Sequence, residues 1–322
     1  MGTKLKEVYP NLDVSLLPTY IRNNIDDIEV IGKRRRTLLL PNGQKYSLDN
    51  PLNDLTGSEW TFFTNSIINT KYSTQGEESY AHHIRKIHPS PKPPQLIKEI
   101  IRFFSKENEK VLDYFMGVGG TLIACSLTNR KGLGVELSEK FINAYKEACN
   151  YLELDEQKVF KGDSRNVLNN RDFEDVFSDE KAKLIVLDPP YFDMMSKKKT
   201  GHGMKKYGKN ATPFTKETTD FGNMNEEIFW IELKSLVEDS MRFLKNKGHI
   251  VAFIKDMQPK EKKTNLLHSD MIETLNSIEN LYYKGMKIWA DQSSSLFPYG
   301  YPYSFVATQI HQYILIFQKR TQ

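Results

Sequence analysis

Asp188-Pro189-Pro190-Tyr191 is the segment of this 322-residue chain whose residue types point most directly to chemistry. Its two prolines fix φ and remove two N–H donors, so the carbonyl oxygens project as acceptors. The exocyclic amino group of a nucleic-acid base is a poor nucleophile, because its lone pair is delocalised into the ring. A carboxylate and a backbone carbonyl that each accept one of its N–H bonds would draw the nitrogen toward tetrahedral geometry. The lone pair would then face an electrophilic methyl. Tyr191 adds a ring on which a base can stack. The purely structural alternative is a Pro-Pro turn capped by Asp.

Asp188 is the fourth acid in a series. KVLDYF (110–115) carries Asp113 at its end, KGLGVEL (131–137) carries Glu136, KVFKGD (158–163) carries Asp163, and AKLIVLDPP (182–190) carries Asp188. Ligands of an open parallel sheet bind beyond the carboxyl ends of its strands. A buried carboxylate without a partner is expensive, so an ordered set of four points to a ligand site. Taken singly, each could be a helix cap. Tyr114-Phe115-Met116-Gly117-Val118-Gly119-Gly120-Thr121 follows Asp113, and its glycines let the backbone turn sharply against a ligand. Glu136 lies about two dozen residues after Asp113, a spacing at which an acid reaches the two hydroxyls of a ribose. The loop is Gly-x-Gly-Gly rather than Gly-x-Gly-x-x-Gly, which disfavours a nicotinamide dinucleotide.

The elements that must position these residues alternate. A helix over 95–104 precedes the first strand, and helices follow the strands ending at Asp113, Glu136 and Asp163. Strand and helix in this rhythm argue a parallel α/β sheet covered on both faces. IFWIELKSLVEDSMRFL reads as a helix, Lys247-Gly248 as a turn, HIVAFIK as a fifth strand, and KGMKIWA and HQYILIFQK as a closing pair. Residues 1–50 read as a separate region of short strands. Lys33-Arg34-Arg35-Arg36 forms one turn there, and Asn42-Gly43 signals a hairpin. Residues 53–70 read as a short helix and a strand.

Composition narrows the class. A net charge of +4 says little by itself, and no apolar run approaches a membrane span of ~20 residues. The N-terminus lacks an apolar signal region, and Lys6 spoils Gly2 as a myristoylation site, so a cytoplasmic, nucleoid-associated protein is expected. Cys125 and Cys149 are expected as buried free thiols. His82, His83 and His88 have no nearby partners for a tetrahedral set, so no metal is expected. Trp60, Trp230 and Trp289 are expected in the core; Tyr299, Tyr301 and Tyr303 are expected to pack within their proline-containing loop, with exposure near the site as the alternative.

With these residues in view, the sequence resembles the DNA amino-methyltransferases. ValLeuAspTyrPheMetGlyValGlyGlyThr (111–121) looks like their motif I, with Tyr114 where Pro is usual. LeuAspProProTyr (187–191) looks like motif IV in the form typical of adenine N6 enzymes, and HisProSerProLysProPro (88–94) is similar to motif X. The segments 53–60 and 64–67 resemble what precedes motif X, and 298–303 and 311–317 the closing part of the group. The resemblance covers roughly residues 50–320. It implies a Rossmann-like class I methyltransferase domain over 51–322, with a mostly parallel seven-stranded sheet whose last strand is antiparallel. It implies S-adenosyl-L-methionine as methyl donor. Asp113, Phe115, Gly117, Gly119 and Thr121 would lie near its methionine part, Glu136 and Leu137 near the ribose, Asp163 and Ser164 near the adenine. Lys92 would line the methionine side, with Asn65 a further contact. Asp188, Pro189, Pro190 and Tyr191 would hold a flipped target base.

For the nucleic acid, residues 192–225 form a basic loop directly after the tetrapeptide, and Lys197, Lys198, Lys199, Lys205, Lys206 and Lys209 are candidate phosphate contacts. Lys33, Arg34 and Arg35 are a second candidate, with solvated edge protection as their bland alternative. The expected function is site-specific N6-adenine methylation of DNA, with a restriction endonuclease as a candidate partner and a monomer or homodimer as the assembly. N4-cytosine methylation is the alternative. An RNA amino-methyltransferase, a non-catalytic nucleic-acid-binding subunit and a nicotinamide dehydrogenase stand further off.

Overall fold

A computed structural model describes residues 2–192, 215, 217–256 and 266–321. The four acid-bearing strands are β6 (Lys110–Asp113), β7 (Lys131–Glu136), β8 (Lys158–Lys161) and β9 (Ala182–Leu187). They pair in parallel in the order β9-β6-β7-β8. β10 (Leu244–Ile254) adds in parallel beyond β9, and β12 (His311–Lys319) is antiparallel both to β10 and to β11 (Leu281–Asp291). β5 (Ile67–Thr70) extends the far edge in parallel with β11. The expected seven strands, the last antiparallel, are therefore present, and the strand read at the end of residues 53–70 joins the same sheet as an eighth.

β9 explains itself by parity. All six of its residues are buried. Leu184 and Val186 face one layer with Leu96, Ile97, Ile100 and Ile101 of the helix Pro94–Phe104. Ile185 and Leu187 face the other, with Phe229, Leu233, Leu236 and Val237 of the helix Glu226–Ser240. A strand covered on both faces reads as a continuous apolar run. The helix Pro94–Phe104 begins on proline, where a missing N–H leaves no bond unmade. Lys247-Gly248, expected as a turn before the fifth strand, instead lies inside β10. Lys247 takes a positive φ of 61°, and the register with β9 shifts between Leu244 and His249. The extra residues are absorbed as a bulge because Leu244 already pairs with Ala182.

The first 50 residues form their own four-stranded antiparallel sheet, β1 (Thr3–Lys4), β2 (Glu29–Ile31), β3 (Thr37–Leu39) and β4 (Lys45–Ser47). Its core holds Leu5, Leu17, Ile21, Ile28, Val30, Leu38, Leu40 and Tyr46. This small sheet docks on the loops before β6 and β7, at the amino ends of the large sheet. Thr19 donates to Glu107 from its amide (3.1 Å) and its hydroxyl (2.6 Å), and Tyr20 donates to the Asp54 carbonyl at 2.7 Å. Asp54 Oδ2 in turn accepts from the Glu107 amide at 2.7 Å and from Arg130 at 3.3 Å. Burial pushes the Asp54 carboxyl above its usual range, although Arg130 opposes this. Asp54→Ala would leave the buried Arg130 guanidinium without its carboxylate, so a loss of ~3 kcal/mol is expected in urea denaturation. Because this edge is remote from the carboxyl ends, the affinity for small ligands there should not change.

Candidate functional site

The chain runs outward from β6 through β7 and β8, then returns to place β9 on the other side of β6. Loops leaving β6 and β9 therefore diverge, and the crevice at this switch point is where an open α/β sheet binds ligands. A cleft of about 310 Å³ opens there, lined by Lys92, Asp113 to Val118, Glu136, Asp163, Asp188 to Tyr191, Asp220, Phe253, Lys255 and Gln312, among others.

On the β6 side, Asp113 is 3% exposed and its Oδ1 accepts the Phe115 amide at 2.9 Å. Burial pushes its carboxyl up to about 6, against the pull of the Thr121 hydroxyl. Gly119 has φ 73°, and a Cβ there would stand 2.1 Å from the Tyr145 ring, so no other residue fits without moving that tyrosine. Gly117 is also left-handed (φ 51°) and turns its N–H onto Glu136 Oε2 at 2.9 Å. The Ser138 amide reaches Oε1 at 2.8 Å. Burial still dominates, and the Glu136 carboxyl rises to about 7. Leu137 and Ser164 also line the cleft, and the Ser164 hydroxyl donates to the Tyr114 carbonyl at 2.6 Å. Asp163 is clasped by Arg165, at 2.9 Å to Oδ1 and 2.5 Å to Oδ2, and Arg165 bridges on to Glu232 at 2.7 Å.

On the β9 side, Lys92 Nζ lies 3.0 Å from Asp188 Oδ1 and 2.8 Å from Gln312 Oε1, and 4.8 Å above the Phe253 ring. The Lys92 carbonyl is held in turn by Arg85 at 2.5 Å. Arg85 is 1% exposed and also donates to the Val118 carbonyl, at 3.2 Å, so one buried guanidinium ties the proline-rich segment to the glycine loop. Tyr191 packs against the core beside the cleft.

Sequence reasoning missed Asp220, Phe221, Phe253, Lys255 and Gln312. Lys255 follows β10 as Asp188 follows β9, so the strand-end rule applied to a fifth strand would have found it. Gln312 stands near the start of an antiparallel strand, where the rule inverts. Asp220 and Phe221 belong to no strand and left no signal. Phe221 stands edge-on to Phe115 at 5.1 Å.

Two expectations change. Asn65 is not in the cleft: it is exposed just before β5, at the amino edge, and its side chain accepts the Ile67 amide at 3.1 Å. Lys33, Arg34 and Arg35, the second candidate for phosphate contact, are exposed in the β2–β3 turn of the module docked on that same edge. Tyr301 and Tyr303 do not pack in their loop but stand out from it. Lys197, Lys198, Lys199, Lys205, Lys206 and Lys209 lie outside the described residues. No helix among the described residues is long and apolar enough to cross a membrane.

Residues 20–147 match the family model described as DNA methylase. Over these residues the chain is similar to the DNA methylases, as its motifs suggest. Its large sheet has the parallel strands and the antiparallel β12 expected from that resemblance. The type II methyltransferase M1.MboII of Moraxella bovis is 32% identical over 116 residues, 36% of this chain and 41% of that protein. M.HpaI of Haemophilus parainfluenzae is 37% identical over 68 residues, 21% and 22% of the two chains. A tRNA (guanine(10)-N2)-dimethyltransferase of Methanocaldococcus jannaschii is 27% identical over 207 residues, 59% and 57%. The chain thus spans less than half of the first two relatives and under two thirds of the third.

S-adenosylmethionine is the methyl donor that the resemblance implies, and the residues of the cleft fit it. Glu136 is a desolvated carboxylate turned to the crevice, the left-handed glycines open the backbone beside it, and the Phe115 and Phe141 rings supply apolar wall. The Glu136 carboxyl, raised from 4.5 to about 7, favours the folded state fully below pH 4.5, and that contribution is lost as pH rises to 7. At 1.36 kcal/mol per unit the loss is ~3 kcal/mol. Glu136→Gln has no such titration, so urea denaturation should show its stability gaining on the native protein by about that amount between pH 4.5 and 8. A pH-independent difference would remove the raised carboxyl from the argument.

Proposed function

We propose that this chain transfers a methyl group from S-adenosylmethionine to the exocyclic N6 of adenine in DNA. The reading is carried by the convergence of Asp188-Pro189-Pro190-Tyr191 with the glycine loop and Glu136 in one cleft. S-adenosylmethionine, when bound, supplies an electrophilic methyl group. Asp113, Phe115, Gly117, Gly119 and Thr121 would hold its methionine part, Glu136 and Leu137 its ribose, and Asp163 and Ser164 its adenine. Lys92 engages Asp188 Oδ1, which leaves Oδ2 to accept one N–H of the target amine. The Pro189 carbonyl accepts the other, and Tyr191 offers its ring to the base. With its N–H bonds so directed, the nitrogen presents its lone pair to the methyl donor, and Asp188 Oδ2 receives the proton the amine gives up. Fixed acceptors in a desolvated cleft act without reorganising, which is where such sites gain most.

A base paired in a duplex cannot reach this cleft and must be turned out, at a cost of a few kcal/mol. Adenine is favoured over N4 of cytosine by Asp at position 188. By analogy with the two type II relatives, a cognate restriction endonuclease is the partner to look for. The second reading is an RNA guanine amine, favoured by the 207-residue match to a tRNA enzyme.

Incubation with labelled donor and either unmodified DNA or tRNA, followed by digestion to nucleosides, tests all of these. Label in N6-methyladenine is expected. Label in N4-methylcytosine moves the base but keeps the chemistry, and label in tRNA alone overturns the DNA substrate. Asp188→Ala is expected to lower kcat by roughly 10²–10³-fold or more, with S-adenosylmethionine affinity by calorimetry unchanged. Comparable turnover in that variant removes the role given to Asp188.

A further inference from the structure

The loop between β11 and β12 carries rings that the proposed chemistry does not use. Tyr301 is 81% exposed, Tyr303 93% and Phe305 93%, with Leu296 (74%) beside them. Four large side chains this exposed within ten residues of one loop mark a candidate contact surface.

Its place in the fold says what it faces. β11 runs parallel to β10, so its end at Asp291 and the start of β12 at His311 both lie on the carboxyl edge with the cleft. Two bonds tie the loop's return to the cleft itself. Lys255 Nζ donates to the Gln309 carbonyl at 2.6 Å, and Gln312 holds Lys92 at 2.8 Å, and both Lys255 and Gln312 line the cleft. Residues 292–310 contain no charged side chain. A loop built to grip phosphates carries Lys or Arg, whereas one that meets the faces of bases needs rings.

We propose that this aromatic rim stacks on the bases of the DNA strand next to the target, which lose a neighbour when the target base leaves its stack for the cleft. The inference rests on the nucleic-acid substrate proposed above. Apolar side chains that enter such a gap hold a distorted duplex in place, and stacking on rings is tolerant of sequence because every base has a face. The rim therefore supplies substrate affinity without selecting a recognition sequence.

The test compares the native protein with a Tyr303→Ala/Phe305→Ala variant and with a Tyr303→Phe/Phe305→Tyr variant that keeps both rings. Three quantities are read: anisotropy of a labelled mixed-sequence duplex over a range of salt, calorimetric binding of S-adenosylmethionine, and methyl transfer to unmodified genomic DNA. Loss of the rings is expected to weaken DNA binding and raise KM for DNA by roughly tenfold or more. The kcat at saturating DNA, the cofactor affinity and the slope of log K against log salt should not move, because rings neutralise no phosphate. The ring-keeping variant should match the native protein. If the native protein methylates DNA and the alanine variant shows the same KM, the rim is overturned and the proposed function stands. A fall in cofactor affinity would mean that the loop supports the cleft, which also overturns it. If the rings matter for tRNA and not for DNA, the DNA strand is the wrong occupant. A native protein that methylates no nucleic acid overturns both readings.

Discussion

The ion pair of Lys92 with Asp188 is where the elements that line the cleft converge. Lys92 comes from a proline-rich segment ahead of β6, and Asp188 from the end of β9 on the other side of the switch point. Gln312 of β12 and Phe253 of β10 complete the lysine's surroundings. One ammonium thus reads the positions of three strands. An ion pair on a free surface contributes little, but this one is largely enclosed, and removing either partner would strand the other. Arg85 extends the coupling to the glycine loop, because the same guanidinium holds the Lys92 and Val118 carbonyls. The two halves of the cleft are therefore registered to each other by side chains as well as by the sheet.

The electrostatics follow from that enclosure. Asp113 and Glu136 are both pushed up by desolvation, and Lys255 is pushed down by the same cause. Fixed N–H donors hold the carboxylates in place while water is kept away from them. Such groups await a ligand's own donors, and hydroxyl or amino hydrogens strengthen against them in a medium of low dielectric.

The sequence makes legible whatever follows from strand order. Four acids after four apolar runs located most of the cleft, because a parallel strand buried on both faces announces itself and its last residue is the one presented. Legibility failed where a residue reaches the cleft by another route. Gln312 leads an antiparallel strand, Asp220 and Phe221 sit on an irregular segment, and Arg85 acts through backbone carbonyls that no pattern of side chains records. Asn65 was misplaced for the opposite reason: a resemblance in sequence put it beside the cofactor, while the direction of β5 puts it on the other edge.

β12 pairs with both β10 and β11, although it is the last of these strands to be made. During vectorial synthesis β10 and β11 therefore emerge as open edges, with no partner between them until residues 311–319 arrive. Unpaired edges are templates for wrong pairing, and an incompletely synthesised sheet exposes them for the time the ribosome takes to add the remaining residues. The same strand delivers Gln312 to Lys92, so the nascent chain cannot organise its cleft before its sheet is closed.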